Sequence, residues 1–120
     1  MADKGAQAAV IFTAGFADIG AEGAALQDAL STRARKVGVR LLGPNCLGMF
    51  HAAMGHCPTF SSALRNGMPL PGRVGLVTQS GAYGTHLLEL ARARRIGVNY
   101  WAVGACGAGL DPVASGQYRD

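Results

Sequence analysis

At 120 residues the chain has room for one small domain, and with 49% hydrophobic and 15% charged residues its composition is globular and not disordered. The net charge of +4 comes largely from Arg33-Ala34-Arg35-Lys36 and Arg92-Ala93-Arg94-Arg95. Both clusters fall toward expected helix ends, where cations suit the dipole; with a single Trp and no basic–aromatic interleaving, this argues against a nucleic-acid partner.

Three cysteines, Cys46, Cys57 and Cys106, form no CxxC pair and leave an odd count, as expected in a reducing compartment. No run approaches the ~20 apolar residues of a membrane helix. The N-terminus, MADKGAQAAVIF, has no long apolar signal core. The expectation is a cytoplasmic chain with no membrane partner.

In chain order, Ala8 to Phe12 is a short apolar run that predicts a strand buried on both faces. The small and polar stretch TAGFADIGAEG then reads as a loop. From about Ala21, Leu26, Leu30, Ala34 and Val37 recur at helical spacing as one apolar stripe, and Gly38 closes the helix at C′. Val39 to Leu42 is the next strand, completing a βαβ unit with parallel strands. A second unit follows the Pro71-Gly72 turn. It has a strand at Arg73 to Thr78, then a helix lined by Tyr83, Leu87, Leu90, Ala91 and Ile96 and closed by Gly97, then a strand at Val98 to Val103.

Between the two lies Gly43 to Gly72, which holds four of the five prolines. A connection this long without structure of its own is unusual inside one compact domain and reads as an interdomain crossing. Each unit alone has too few elements to cover both faces of its sheet, so the two either pack together as one four-stranded layer or are pieces of two domains, each cut short. Open sheet faces in turn predict association into an oligomer or poor stability.

Ligands of parallel α/β proteins bind at the C-terminal ends of the strands, and three loops lie there. In FTAGF, the backbone at Gly15 and the hydroxyl of Thr13 could approach a ligand, although an ordinary βα turn explains the same residues. In RLLGPNCLGMF, Pro44 ends the strand, Asn45 can donate and accept, and Cys46 fits a nucleophile, a metal ligand or a small buried apolar group. No base partner for Cys46 is identifiable, which favours the buried group. In VTQSGAYG, a strand followed by Gln-Ser-Gly-Ala and a helix leaves free backbone N–H groups at the helix start, and Ser80 is placed as an N-cap; this suits a plain cap and a phosphate about equally. Thr78 stands where a nucleophile elbow needs its first Gly, and the Gly-Lys-Ser/Thr end of a Walker A loop is missing. Cys46, His51, His56 and Cys57 are too irregularly spaced for a zinc site. His86 reads as a surface or packing residue.

Taken together, VIFTAGFADIGAEG, RLLGPNCLG and PGRVGLVTQSGAYGTHLLELARARRIGVNYWAVG resemble the NDP-forming acyl-CoA ligase superfamily, which includes succinyl-CoA synthetase α-subunits and ADP-forming acetate-CoA ligases. The likeness is nearer to the acetate-ligase branch and runs to about Leu110. It implies an α/β fold of parallel βαβ units. Residues 1–50 would end a Rossmann-like CoA-binding domain, residues 51–72 would be the interdomain linker, and residues 73–120 would begin a flavodoxin-like ligase domain. The implied reaction joins a small carboxylic acid to CoA with ATP or GTP and Mg, through an acyl phosphate and a phosphohistidine.

The resemblance further implies that Thr13 and Gly15 lie along bound CoA and that Asn45 and Cys46 sit near its pantetheine end. Ser80, Gly81 and Ala82 would form the helix start that receives the phosphorylated histidine. None of His51, His56 and His86 matches that histidine. The family's glycine-rich CoA-phosphate loop would precede residue 1, and the phosphohistidine and nucleotide-grasp segments would follow residue 120. Gly104-Ala105-Cys106 departs from the family's usual Gly-Asn after the last strand. The chain is thus expected to work with further ligase domains or a partner subunit and to be inactive alone. The alternative is a CoA-binding regulatory module, such as the inactive ligase-like part of a protein acetyltransferase.

Overall fold

The computed structural model describes residues 4–104. They divide into two compact units, one up to Cys46 and one from Leu47 to Gly104.

The first unit is a minimal βαβ. Strand β1 (Ala8–Val10) pairs in parallel with β2 (Arg40–Leu42), with Ala8 opposite Arg40 and Val10 opposite Leu42. Backbone bonds from Arg40 to Gln7 (2.9 Å) and from Ile11 to Leu42 (2.8 Å) extend the pairing at both ends. A short 3-10 turn at Ala17–Ile19 leads into helix α1 (Ala21–Lys36). The helix ends as expected, with Gly38 in the left-handed region at φ +73°.

Its buried face is rotated from the expected stripe. Of that stripe Ala34 is buried and Leu30 half-buried, whereas Leu26 is 55% exposed and Val37 is also exposed; Gly23 and Ser31 are buried instead. The contact line follows small residues, and the Ser31 hydroxyl is satisfied by donating to the Gln27 carbonyl at 2.8 Å. The expectation that β1 is buried on both faces also fails. None of its residues is buried, and Phe12 beyond it is exposed.

The second unit contains a strand that the sequence reading does not anticipate, β3 (Cys46–His51). It joins a three-stranded sheet in the order β3-β5-β4, with β4 at Val74–Thr78 and β5 at Val98–Gly104. Strands β4 and β5 are parallel, with Leu76 opposite Trp101 and Thr78 opposite Val103. Helix α2 (Gly81–Ala93) covers one face.

The core there is Phe50, Ala63, Leu88, Ala91, Val98, Trp101 and Val103. Phe50 stacks on Trp101 with ring centroids 5.8 Å apart and planes 12° from parallel. The buried indole N–H is satisfied by donating to the Gly84 carbonyl at 3.0 Å. Gly84 is needed for that approach, because a Cβ there would lie 2.6 Å from Thr78 Cγ2 and 2.7 Å from Val103 Cγ2.

The expected helix end at Gly97 is corrected. Helix α2 stops at Ala93, and Arg95 takes the left-handed conformation at φ +56°. Gly97 serves a different purpose: its carbonyl oxygen lies 2.2 Å from where a Cβ on Gly72 would sit, so the two glycines let the chains pass closely. Of the expected helix face, Ala91 is buried and Tyr83 and Ile96 are exposed; the fully buried residue is Leu88.

The stretch from 51 to 72 carries structure. Ala52, Ala63 and Leu64 pack on the second core, the Leu70 carbonyl accepts from Val98 N–H at 2.9 Å, and Arg92 Nη2 donates to the Gly67 carbonyl. Residues 52–60 fold back on β3 through antiparallel bridges pairing Gly48 with Thr59 and His51 with His56. Cys106 and the tail around it lie outside the described residues. Among those described, no helix is long and apolar enough to cross a membrane.

Candidate functional site

Each unit presents one locus at the C-terminal end of its strands. In the first, the chain leaving β1 and the turn leaving β2 are tied together by the Asn45 N–H, which donates to the Thr13 carbonyl at 3.0 Å. The Gly43-Pro44 peptide is cis, and Gly43 and Asn45 both have positive φ, +97° and +54°. Only glycine fits at 43, because a Cβ would lie 2.2 Å from the Ile11 carbonyl oxygen. Asn tolerates the left-handed region better than most residues. Thr13 and Asn45, joined by that backbone bond, are both exposed and carry a hydroxyl and a carboxamide.

Cys46 lies beneath them and not beside them. It is 4% exposed, and its thiol donates to the carbonyls of Ile11 (3.3 Å) and Leu42 (3.7 Å). Of the three roles open to it in the sequence, this geometry is that of the small buried group.

Gly15 has φ +96°, and a side chain there would meet nothing within 4 Å. Its N–H donates to both Asp18 carboxylate oxygens, at 3.2 and 3.1 Å, and the Phe16 N–H donates to one of them at 2.9 Å. These bonds, Gly15's first and then Phe16's, hold the Asp18 carboxyl below its ordinary pKa of 3.8. The Ala17 N–H donates to Gln27 Oε1 at 3.3 Å. Sequence reasoning missed Asp18 and Gln27. The signal for Asp18 was present, since an Asp a few residues after a loop glycine commonly accepts from nearby backbone.

In the second unit, Ser80 is the N-cap of α2, as the sequence suggests. Its hydroxyl accepts from Tyr83 N–H at 3.3 Å, and its own N–H donates to Thr78 Oγ1 at 3.1 Å. Ser80 and Ala82 are exposed and Gly81 is half-buried, with Leu47 Cδ1 2.9 Å from where a Cβ on Gly81 would lie. The first turn of α2 carries no acid. The dipole therefore meets no opposing charge on its own helix there.

The histidines stand apart from both loci in role. His51 Nδ1 accepts from Met54 N–H at 3.3 Å, its ring meets Tyr100 edge-on at 6.4 Å, and it bridges His56 through the backbone. Among the described residues, no three His, Cys, Asp or Glu side chains gather as a metal site.

A parallel α/β framework with loops at the strand ends defines the class. No protein-family model matches the chain. Over 94 residues, 78% of its length, it is 38% identical to acetate–CoA ligase [ADP-forming] I of Archaeoglobus fulgidus. Over 96 residues it is 34% identical to the α-subunit of acetate–CoA ligase [ADP-forming] I of Pyrococcus furiosus. It spans 13% and 20% of those two proteins. A solved structure of a dinucleotide-forming acetyl-coenzyme A synthetase from Ca. Korarchaeum cryptofilum, in complex with phosphate and ADP, superimposes with a TM-score of 0.76 at 32% identity. That match covers 93% of this chain and 23% of the other. The chain is homologous to ADP-forming acetate–CoA ligases over most of its own length, a small part of each of theirs.

Proposed function

We propose that the chain works as part of an NDP-forming acyl-CoA synthetase, with CoA lying along the first locus and a phosphoryl group received at the second. The homology to ADP-forming acetate–CoA ligases carries this reading. On it, the unit up to Cys46 is the end of a CoA-binding domain and the unit from Leu47 begins a flavodoxin-like ligase domain. Thr13, Gly15 and Asn45 border the pantetheine arm, and Cys46 supports their loop from below. Ser80, Gly81 and Ala82 offer an N-capped helix start to a phosphohistidine from a segment outside this chain, stabilising its charge through oriented N–H groups. ATP or GTP with Mg is handled by those other segments, and the chain alone turns over no acid.

Calorimetry tests the first half directly. Saturable heat with CoA and acetyl-CoA is expected from the chain, together with a rise in unfolding temperature by mass action. No heat and no thermal shift at millimolar CoA would remove the CoA reading. Supplying the missing ligase segments separates synthetase from regulatory module: acid-dependent nucleotide turnover supports the synthetase, and CoA binding without turnover supports the module.

A further inference from the structure

A βα loop with a left-handed glycine, successive N–H groups and a helix start is where α/β proteins commonly seat phosphate. In the first unit those donors are already engaged. The N–H groups of Gly15 and Phe16 point at the Asp18 carboxylate, and that of Ala17 points at Gln27. The start of α1 is covered by a separate feature. A Cβ on Gly23 would lie 1.9 Å from the Phe16 carbonyl oxygen, so that oxygen already rests against the first turn. Glu22 adds a full negative charge in the same turn, and no side chain caps it. A phosphate arriving here would meet two carboxylates and a carbonyl, with three consecutive N–H groups taken.

We infer that Asp18 is a specificity-determining residue: by occupying the Gly15 and Phe16 N–H groups with its own carboxylate, it makes the Thr13 to Ala17 loop reject phosphate and admit only an uncharged, hydrogen-bonding segment of a ligand. Resting on the CoA reading above, that segment is pantetheine, which carries amides and no charge. The exposed hydroxyl of Thr13 and carboxamide of Asn45 match amide groups. Asp18 thus orients the loop and sets its charge preference without touching the reacting atoms.

The test is residue-resolved amide spectroscopy of the 15N-labelled 120-residue chain with inorganic pyrophosphate and, separately, with pantetheine. In the wild type, pyrophosphate should leave Gly15 and Phe16 unshifted, and pantetheine should shift Thr13, Ala14 and Asn45. In Asp18→Ala, pyrophosphate should shift Gly15 and Phe16, with an affinity gain of about tenfold or more, the scale of a charge-assisted hydrogen bond. Asp18→Asn keeps an acceptor oxygen for the loop and should gain less, which guards against loop collapse in the alanine variant. Equal pyrophosphate shifts at Gly15 and Phe16 in wild type and both variants would overturn the inference. Failure of pantetheine alone, with the pyrophosphate contrast intact, would uphold the role of Asp18 and remove the CoA reading.

Discussion

The two helix starts of this protein are built to opposite electrostatic plans. Helix α1 begins without a side-chain cap, has Glu22 in its first turn, and is preceded by a loop whose N–H groups are held by Asp18. Helix α2 begins with Ser80 as a cap and has no acid in its first turn. The same element, the N-terminus of a helix after a parallel strand, has side-chain acceptors on its loop donors and an acid in its first turn in one unit, and a hydroxyl cap with no acid in the other. A helix start is therefore an anion seat only when its neighbours leave the N–H groups free. The supports differ as well. The α2 start is anchored by a buried indole on the Gly84 carbonyl, and the α1 loop by an exposed carboxylate.

Removing each anchor should have very different consequences. Trp101→Ala deletes the largest buried side chain and its bond to Gly84, and should cost about 3–5 kcal/mol in urea unfolding followed by circular dichroism. Asp18→Ala should leave global stability nearly unchanged, changing only the loop amides. A large loss from Asp18→Ala would break the contrast between a core anchor and a surface one.

The contrast can also be reversed by design. Ser80→Asp should keep the cap, with stability within ~0.5 kcal/mol of wild type. It should weaken phosphate at Gly81 and Ala82 by roughly tenfold, measured by amide shifts. Undiminished phosphate response in that variant would mean that charge at the α2 start is not what selects the ligand.

The pH dependence sharpens the α1 side. The Asp18 carboxyl titrates below its ordinary 3.8 because the folded loop donates to its ionised form. Its contribution is therefore fully present above the unfolded-state value and is lost as pH falls through the lower folded value. Gly15 and Phe16 amide shifts should be flat at mildly acidic pH and move together with a midpoint below 3.8. A midpoint above that value would show that the bonds do not form in solution.

The smallest effect is expected at Cys46. Cys46→Ser keeps a donor for the Ile11 carbonyl and should lower stability by about 1 kcal/mol. CoA affinity should change by no more than about twofold, because the thiol is buried beneath the loop. Complete loss of CoA binding in this variant would show that the thiol faces the ligand.

The βαβ halves, the Gly38 helix end and the Ser80 cap were legible because each rests on local chemistry: apolar runs, a left-handed glycine, a hydroxyl before a helix. The likeness to acetate–CoA ligases was also legible, in three motifs in order. Strand β3 was not. It buries Cys46, Gly48 and Phe50 on one side, and a glycine at φ +97° in mid-strand gives no alternating apolar signal. The helix faces were misjudged for a related reason. Contact lines through Gly23, Ser31 and Gly84 are chosen by close approach, which favours small residues over the large ones that periodicity counts. Asp18 was overlooked because its role is to engage backbone donors, and sequence alone does not show whether such donors are free.

The most direct test of the account is a titration of the wild-type chain with inorganic phosphate, followed at both helix starts in one set of amide spectra. Saturable shifts at Gly81 and Ala82, with Gly15 and Phe16 unmoved, are the predicted result. Shifts at Gly15 and Phe16 with none at Gly81 and Ala82 would contradict it.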